Sequence, residues 1–188
     1  PPQGQGTWYT SRDGLPDEQV RVAYQDRQGL LWVGTSGEYI YVLASPALRS
    51  LTRMGDTLIG AALCMEELGG DVYIGTSRGM FQWQKGRGIV RRWTTAEGLP
   101  GNEIWGVCAD GKGGLWIGSD RGLAQLRGGE IRRYPKFKDG RMVQILRDGS
   151  SFLLANDRGI IRIDSEGQEL NRVNFSKYDL SGDVVVLA

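Results

Sequence analysis

Leu31-Trp32-Val33-Gly34-Thr35 returns as Val72-Tyr73-Ile74-Gly75-Thr76, as Leu115-Trp116-Ile117-Gly118-Ser119 and, altered, as Phe152-Leu153-Leu154-Ala155-Asn156. The second residues of these phrases lie 41, 43 and 37 positions apart. A period of this length, carried by short apolar segments, marks an array of small sheets that lean on one another. Side chains alternate along a strand, so Trp32 and Gly34 share one face while Leu31, Val33 and Thr35 share the other. Both faces are largely apolar, as a sheet sandwiched between two others requires. The phrase therefore assigns Trp32, Tyr73 and Trp116 to packing between sheets. Gly34, Gly75 and Gly118 mark points where a neighbouring sheet approaches closely.

Working outward, the first and third units align without a gap. Gly14-Leu15-Pro16 matches Gly98-Leu99-Pro100, and 17 residues after each leucine comes Trp32 or Trp116. Val20 matches Ile104, Asp26 matches Asp110 and Gly29 matches Gly113. The third unit parses into strands at Ile104–Ala109, Gly114–Ser119, Leu123–Arg127 and Glu130–Tyr134, separated by glycine-bearing turns. The expected fold is all-β, a β-propeller of four-stranded antiparallel blades, with about four blades present. Residues 1–7 read as a linker and the blades divide near 8–48, 49–88, 89–129 and 130–169, with a further blade starting over 170–188. Trp8–Thr10 reads as an outer strand without its blade, and Val184–Leu187 as an inner strand without its blade. The next tryptophan-type position falls near 197. A propeller closes on itself, so these four blades are expected to belong to a larger propeller; the alternatives are a four-bladed ring with frayed ends, and pairing of the open edges with another chain, as in a homodimer.

The 188 residues carry a net charge of +1, which leaves no footprint for nucleic acid or for an anionic membrane surface. There is no histidine, so neither a Ser-His-Asp nor a Cys-His mechanism can be assembled from this chain. The two cysteines, Cys64 and Cys108, sit in consecutive units and read as small buried apolar residues. No metal site and no cofactor is expected. The adjacent acids Glu66 and Glu67 point to opposite faces of a strand, which does not make a catalytic pair.

Gly98-Leu99-Pro100, Ile104, Asp110, Gly113-Gly114-Leu115-Trp116-Ile117-Gly118-Ser119 and Gly122-Leu123 together resemble the two-component regulator propeller repeat. The first unit carries the pattern almost as well, the second lacks Gly-Leu-Pro, and the fourth has Leu153 in place of the aromatic. The resemblance implies a periplasmic or extracytoplasmic sensor segment of a bacterial signalling protein.

In a four-stranded blade, the turn between the second and third strands shares a rim with the loop entering the next blade. That rim collects Arg78, Arg121 and Arg158 from the turns and Glu18, Asn102 and Glu103 from the loops. Trp105, aligned with Arg21, lies on an inner strand and is the aromatic expected at the channel mouth. These residues are the candidate ligand-binding set, suited to a carbohydrate or a carboxylate. The arginines themselves read first as braces that pair with a neighbouring Asp between adjacent blades, and second as ligand donors. The leading function is non-enzymatic sensing of a small ligand. The alternatives are a scaffold that binds protein or dimerises, and part of a propeller lyase or hydrolase whose catalytic residues lie outside this chain.

Overall fold

A computed structural model describes residues 10, 12, 14, 19–44, 47–51, 53–138 and 140–175. The first sheet holds strands β1 (Val20–Gln25), β2 (Leu31–Thr35), β3 (Ile40–Ala44) and β4 (Ala47–Leu51). A small hairpin follows, made of β5 (Arg53–Met54) and β6 (Thr57–Leu58). The second sheet holds β7 (Ala62–Leu68), β8 (Asp71–Thr76), β9 (Gly79–Gln84) and β10 (Gly88–Trp93). The third holds β11 (Ile104–Ala109), β12 (Gly114–Ser119), β13 (Gly122–Arg127) and β14 (Glu130–Tyr134). The fourth holds β15 (Met142–Asp148), β16 (Ser151–Asn156), β17 (Gly159–Ile163) and β18 (Glu169–Asn174). Each sheet is an antiparallel meander in sequence order, and the inner strands β1, β7, β11 and β15 pack on one another in turn. The architecture is that of β-propeller blades.

The sheets begin later than the divisions at 8–48, 49–88, 89–129 and 130–169. The reason is the outer strand: β10 pairs with β9 and β14 with β13, so each closes its own sheet rather than opening the next. The end strands expected at Trp8–Thr10 and Val184–Leu187 lie, apart from Thr10, outside the described residues, as do Leu15, Pro16 and Glu18.

The core lies between the sheets, in three clusters. Trp32 packs with Met65, Ile74 and Phe81 at the first junction. Tyr73 packs with Leu115, Ile117 and Leu126 at the second. Trp116 packs with Met142, Ile145 and Phe152 at the third. The phrase glycines permit this spacing. A Cβ on Gly34 would lie 2.6 Å from the Ala62 Cβ, and one on Gly118 would lie 2.7 Å from the Met142 Cβ. On Gly75 it would lie 2.9 Å from the Ile104 carbonyl oxygen and collide with the Cys64 Sγ. In all three cases the obstacle includes the first residue of the next inner strand.

The loops between blades each drive one apolar side chain into the core: Ile59, Leu99 and Phe137 are buried. At Leu99 the local chemistry is explicit. Thr94 and Glu97 form a capping box around the 3-10 turn Thr95–Glu97. Gly98 then takes φ of 107°, which reverses the chain and drops Leu99 inward. Arg133 from the outer strand fastens the loop by donating to the Gly98 and Leu99 carbonyls at 2.7 and 3.0 Å.

Candidate functional site

The rim begins with the last residue of each phrase. Thr76 Oγ1 accepts the Arg78 N–H at 3.0 Å, Ser119 Oγ accepts the Arg121 N–H at 3.2 Å, and Asn156 Oδ1 accepts the Arg158 N–H at 2.9 Å. The same side-chain-to-backbone turn therefore presents one arginine per blade. The arginines then diverge. Arg78 reaches Glu38 of the first blade at 2.5 Å, an inter-blade pair with both side chains well exposed. Arg121 lies 3.5 Å from its own neighbour Asp120 and stays 77% exposed. Arg158 is exposed.

The loop residues are also unequal. The Glu103 N–H donates to Asp120 Oδ1 at 3.3 Å, and the Asp120 N–H returns to the Glu103 carbonyl at 3.0 Å. That exchange ties the entry loop of the third blade to its own turn. Asn102 Oδ1 accepts the Thr95 N–H at 2.9 Å, which ties it to the Gly-Leu-Pro loop while its side chain stays exposed.

Trp105 occupies a distinctive backbone position. Each inner strand slips register at the same point, between Val20 and Val22, Ala62 and Cys64, Ile104 and Gly106, and Met142 and Gln144. The residues carried on these bulges are Arg21, Leu63, Trp105 and Val143. Trp105 is half-buried, its Nε1 is shielded from solvent without an acceptor, and the Arg141 guanidinium lies 4.6 Å from its ring centroid. Arg141 directly precedes Met142, as Glu103 precedes Ile104. Its place as the last residue of an entry loop is the signal that could have flagged it.

Comparison with known proteins agrees with the blade architecture. The two component regulator propeller family matches residues 14–37 and 98–121. The chain carries two component regulator propeller repeats. No curated protein sequence matches the chain. Among solved structures, virginiamycin B lyase from Staphylococcus aureus is similar at 16% identity and a TM-score of 0.70, over 85% of this chain and 56% of that one. The WD40 β-propeller domain of Doa1 is similar at 15% identity and a TM-score of 0.64, over 81% and 54%. The extracellular domain of a putative hybrid two component system from B. thetaiotaomicron is similar at 15% identity and a TM-score of 0.53, over 81% and 27%. At these identities the likeness is one of fold. The chain spans about half the length of the first two and about a quarter of the third.

Within the two component regulator propeller repeat, the Asp-x-x-Gly element is a turn clamp. Asp26 Oδ1 accepts the Gln28 and Leu30 N–H groups, both at 2.9 Å, and its Oδ2 accepts the Trp32 indole at 3.0 Å. Asp110 repeats the backbone contacts with Lys112 and Gly114 at 2.7 and 2.8 Å. Its Oδ2 instead accepts from Gln125 and Arg127. Burial alone would raise the Asp110 pKa, but the Arg127 hydrogen bond, the two turn N–H groups and the Arg127 charge bring it below the usual carboxylate range.

Chemically reactive groups are held quiet. Cys64 and Cys108 are both free thiols, with burial pushing Cys64 up to about 12 and Cys108 up to about 11. Both stay protonated at neutral pH, which removes thiolate reactivity. Glu66 and Glu67 serve different junctions: Glu67 Oε2 accepts the Arg27 N–H of the first blade at 2.7 Å, and Glu66 Oε1 accepts the Ala109 N–H of the third at 3.2 Å. Among the described residues no group of three or more cysteine, aspartate or glutamate side chains is placed to hold a metal ion. Among them, too, no helix is long and apolar enough to cross a membrane.

Proposed function

We propose that the chain is the ligand-sensing propeller segment of an extracytoplasmic bacterial signalling protein, and that it binds without turnover. The observation that carries this reading is the Trp105–Arg141 stack on the bulge of the third inner strand. An indole with its N–H shielded and unpartnered, under an arginine, on a rigid strand, suits a ligand with a flat face and an acceptor or anionic edge. A carbohydrate or a small carboxylate meets that description. Arg121 and Arg158 lie on the same rim and supply further donors. The repeat family and the extracellular-domain neighbour support the extracytoplasmic placement.

The test is a thermal-shift screen with pools of sugars, short carboxylic acids and peptides. A ligand at 100 times its Kd adds about 2.7 kcal/mol to stability, which is readily seen. A stabilising ligand whose effect disappears in Trp105→Ala supports the reading. Silence across every pool removes it.

One observation favours a second reading, that of an interaction scaffold. The exposed large apolar residues sit only on the two end blades among the described residues: Val20 and Tyr39 on the first, and Leu146, Ile160, Leu170 and Val173 on the fourth. Such faces suit a further blade or a second copy of the chain. Sedimentation across a range of concentrations separates these: a second copy gives a concentration-dependent dimer.

A further inference from the structure

The three blade junctions are closed differently on the rim opposite the arginines. At the first junction Lys85, in the turn after β9, donates to Gln28, in the turn after β1, at 2.5 Å. At the third, Lys112, in the turn after β11, reaches Ser165 and Glu166, in the turn after β17, at 3.0 Å each. The second junction has no side chains in the matching places. Its turns are Gly69-Gly70 and Gly128-Gly129, and a Cβ on Gly69, Gly70 or Gly128 would meet nothing within 4 Å. A crevice of about 160 Å³ opens there.

The walls of that crevice are chemically specific. Leu68 and Leu126 supply apolar surface, while Tyr73, Arg91 and Trp93 supply donors. Trp93 is 2% exposed and its Nε1 has no acceptor. Arg91 lies 4.6 Å above the Trp93 ring and makes one contact at 3.3 Å, to the Gly129 carbonyl. Among the described residues it has no carboxylate partner, whereas Arg127 in the same crevice is paired with Asp110 at 2.7 Å. The third junction shows what a filled crevice looks like: Tyr134 stands where Trp93 does, its ring abuts Gly167, and its hydroxyl donates to Gln125 at 3.1 Å. At the second junction the counterpart glutamine, Gln82, is turned to Asp71 at 2.6 Å, and the indole is left without a partner.

We propose that this crevice between the second and third blades is a binding site for a small monocarboxylate with a ring-sized apolar body. The carboxylate pairs with Arg91 and accepts from the Trp93 indole as Arg91 lifts from the ring, and the body lies against Leu68 and Leu126. The size agrees with the chemistry, because an apolar protein cavity of about 150 Å³ accepts benzene. A single negative charge is favoured over two, because the Asp71 and Asp110 carboxylates flank the crevice. The site is independent of the Trp105 mouth.

The experiment uses the full chain labelled with nitrogen-15 and follows the six indole N–H signals, with Trp93 assigned by Trp93→Phe. Benzoate and its neutral counterpart benzamide are the probes. Benzoate is expected to shift the Trp93 signal saturably, and benzamide to leave it in place. Arg91→Gln is expected to weaken benzoate binding by about tenfold or more, with the other five signals unchanged as the check on folding. A Trp93 signal that ignores benzoate, that moves equally with benzamide, or that responds undiminished in Arg91→Gln overturns the proposal.

Discussion

The Glu66 carboxylate on the second inner strand accepts the Ala109 N–H of the third at 3.2 Å. One blade earlier the Tyr24 hydroxyl oxygen accepts the Glu67 N–H at 3.0 Å, and one blade later Cys108 takes the same position, its thiol donating to the Ala109 carbonyl of its own strand at 3.7 Å. Residues 24, 66 and 108 occupy one register position, and so do 67, 109 and 147. A different side chain thus makes the same link between inner strands at the first two junctions. The fourth residue of the series is Leu146, which cannot accept and is 42% exposed.

This relationship makes stability depend on pH through Glu66. Burial raises its pKa above the ordinary value, the Ala109 hydrogen bond opposing. A raised carboxyl pKa means the folded state holds its proton more tightly, so this contribution is present at acid pH and is lost as pH rises through the folded pKa. Glu66→Gln keeps an acceptor for Ala109 and removes the charge. Urea midpoints of the variant minus wild type should therefore be more favourable at pH 7 than at pH 4. An equal difference at both pH values would contradict the assignment.

The phrase glycines should be the least tolerant positions in the repeat. Gly75→Ala places a methyl against the Ile104 backbone and the Cys64 sulfur. Overpacking of this kind costs roughly 1–3 kcal/mol, and backbone cannot yield as a flexible side chain can. Equilibrium denaturation of Gly75→Ala beside Gly86→Ala gives the comparison. Gly86 has no neighbour within 4 Å but has φ of 77°, so its cost is conformational only and smaller.

The apolar plug and the turn clamp can be ranked. Leu99→Ala removes a fully buried side chain and should cost about 2–5 kcal/mol. Asp110→Ala strips acceptors from two turn N–H groups, Gln125 and Arg127, and should cost about 2–3 kcal/mol. Arg78→Gln breaks an exposed pair and should cost about 0–1 kcal/mol, falling further in high salt. An Arg78→Gln loss as large as that of Leu99→Ala would show that the rim pair holds the blades together.

Strand positions were legible because the repeat supplies its own alignment. The third unit's strands fall as read, with β13 starting one residue earlier, at Gly122. Blade limits were less so, since pairing of the outer strand with its predecessor is a contact between segments and leaves no period in the sequence. The hairpin at β5 and β6 sits where the second unit lacks Gly-Leu-Pro, and that departure was visible even though its shape was not. The candidate site was read only in part. Arg78, Arg121 and Arg158 share a turn, as the spacing said, and Asn102 also holds its own loop through Oδ1. Glu38 and Arg141 became relevant only through contacts 40 and 36 residues distant in sequence, with Arg78 and Trp105 respectively.

The proposed role of Trp105 and Arg141 as one ligand-binding unit rests on the 4.6 Å approach of the guanidinium to the indole. Calorimetric titration of the ligand found by the thermal screen into wild type, Trp105→Ala, Arg141→Ala and the double variant tests it most directly. Each single change is expected to raise Kd about tenfold or more, and the double change to add little further, because both residues act through one stack. Unchanged Kd values, or losses that simply add, would contradict it.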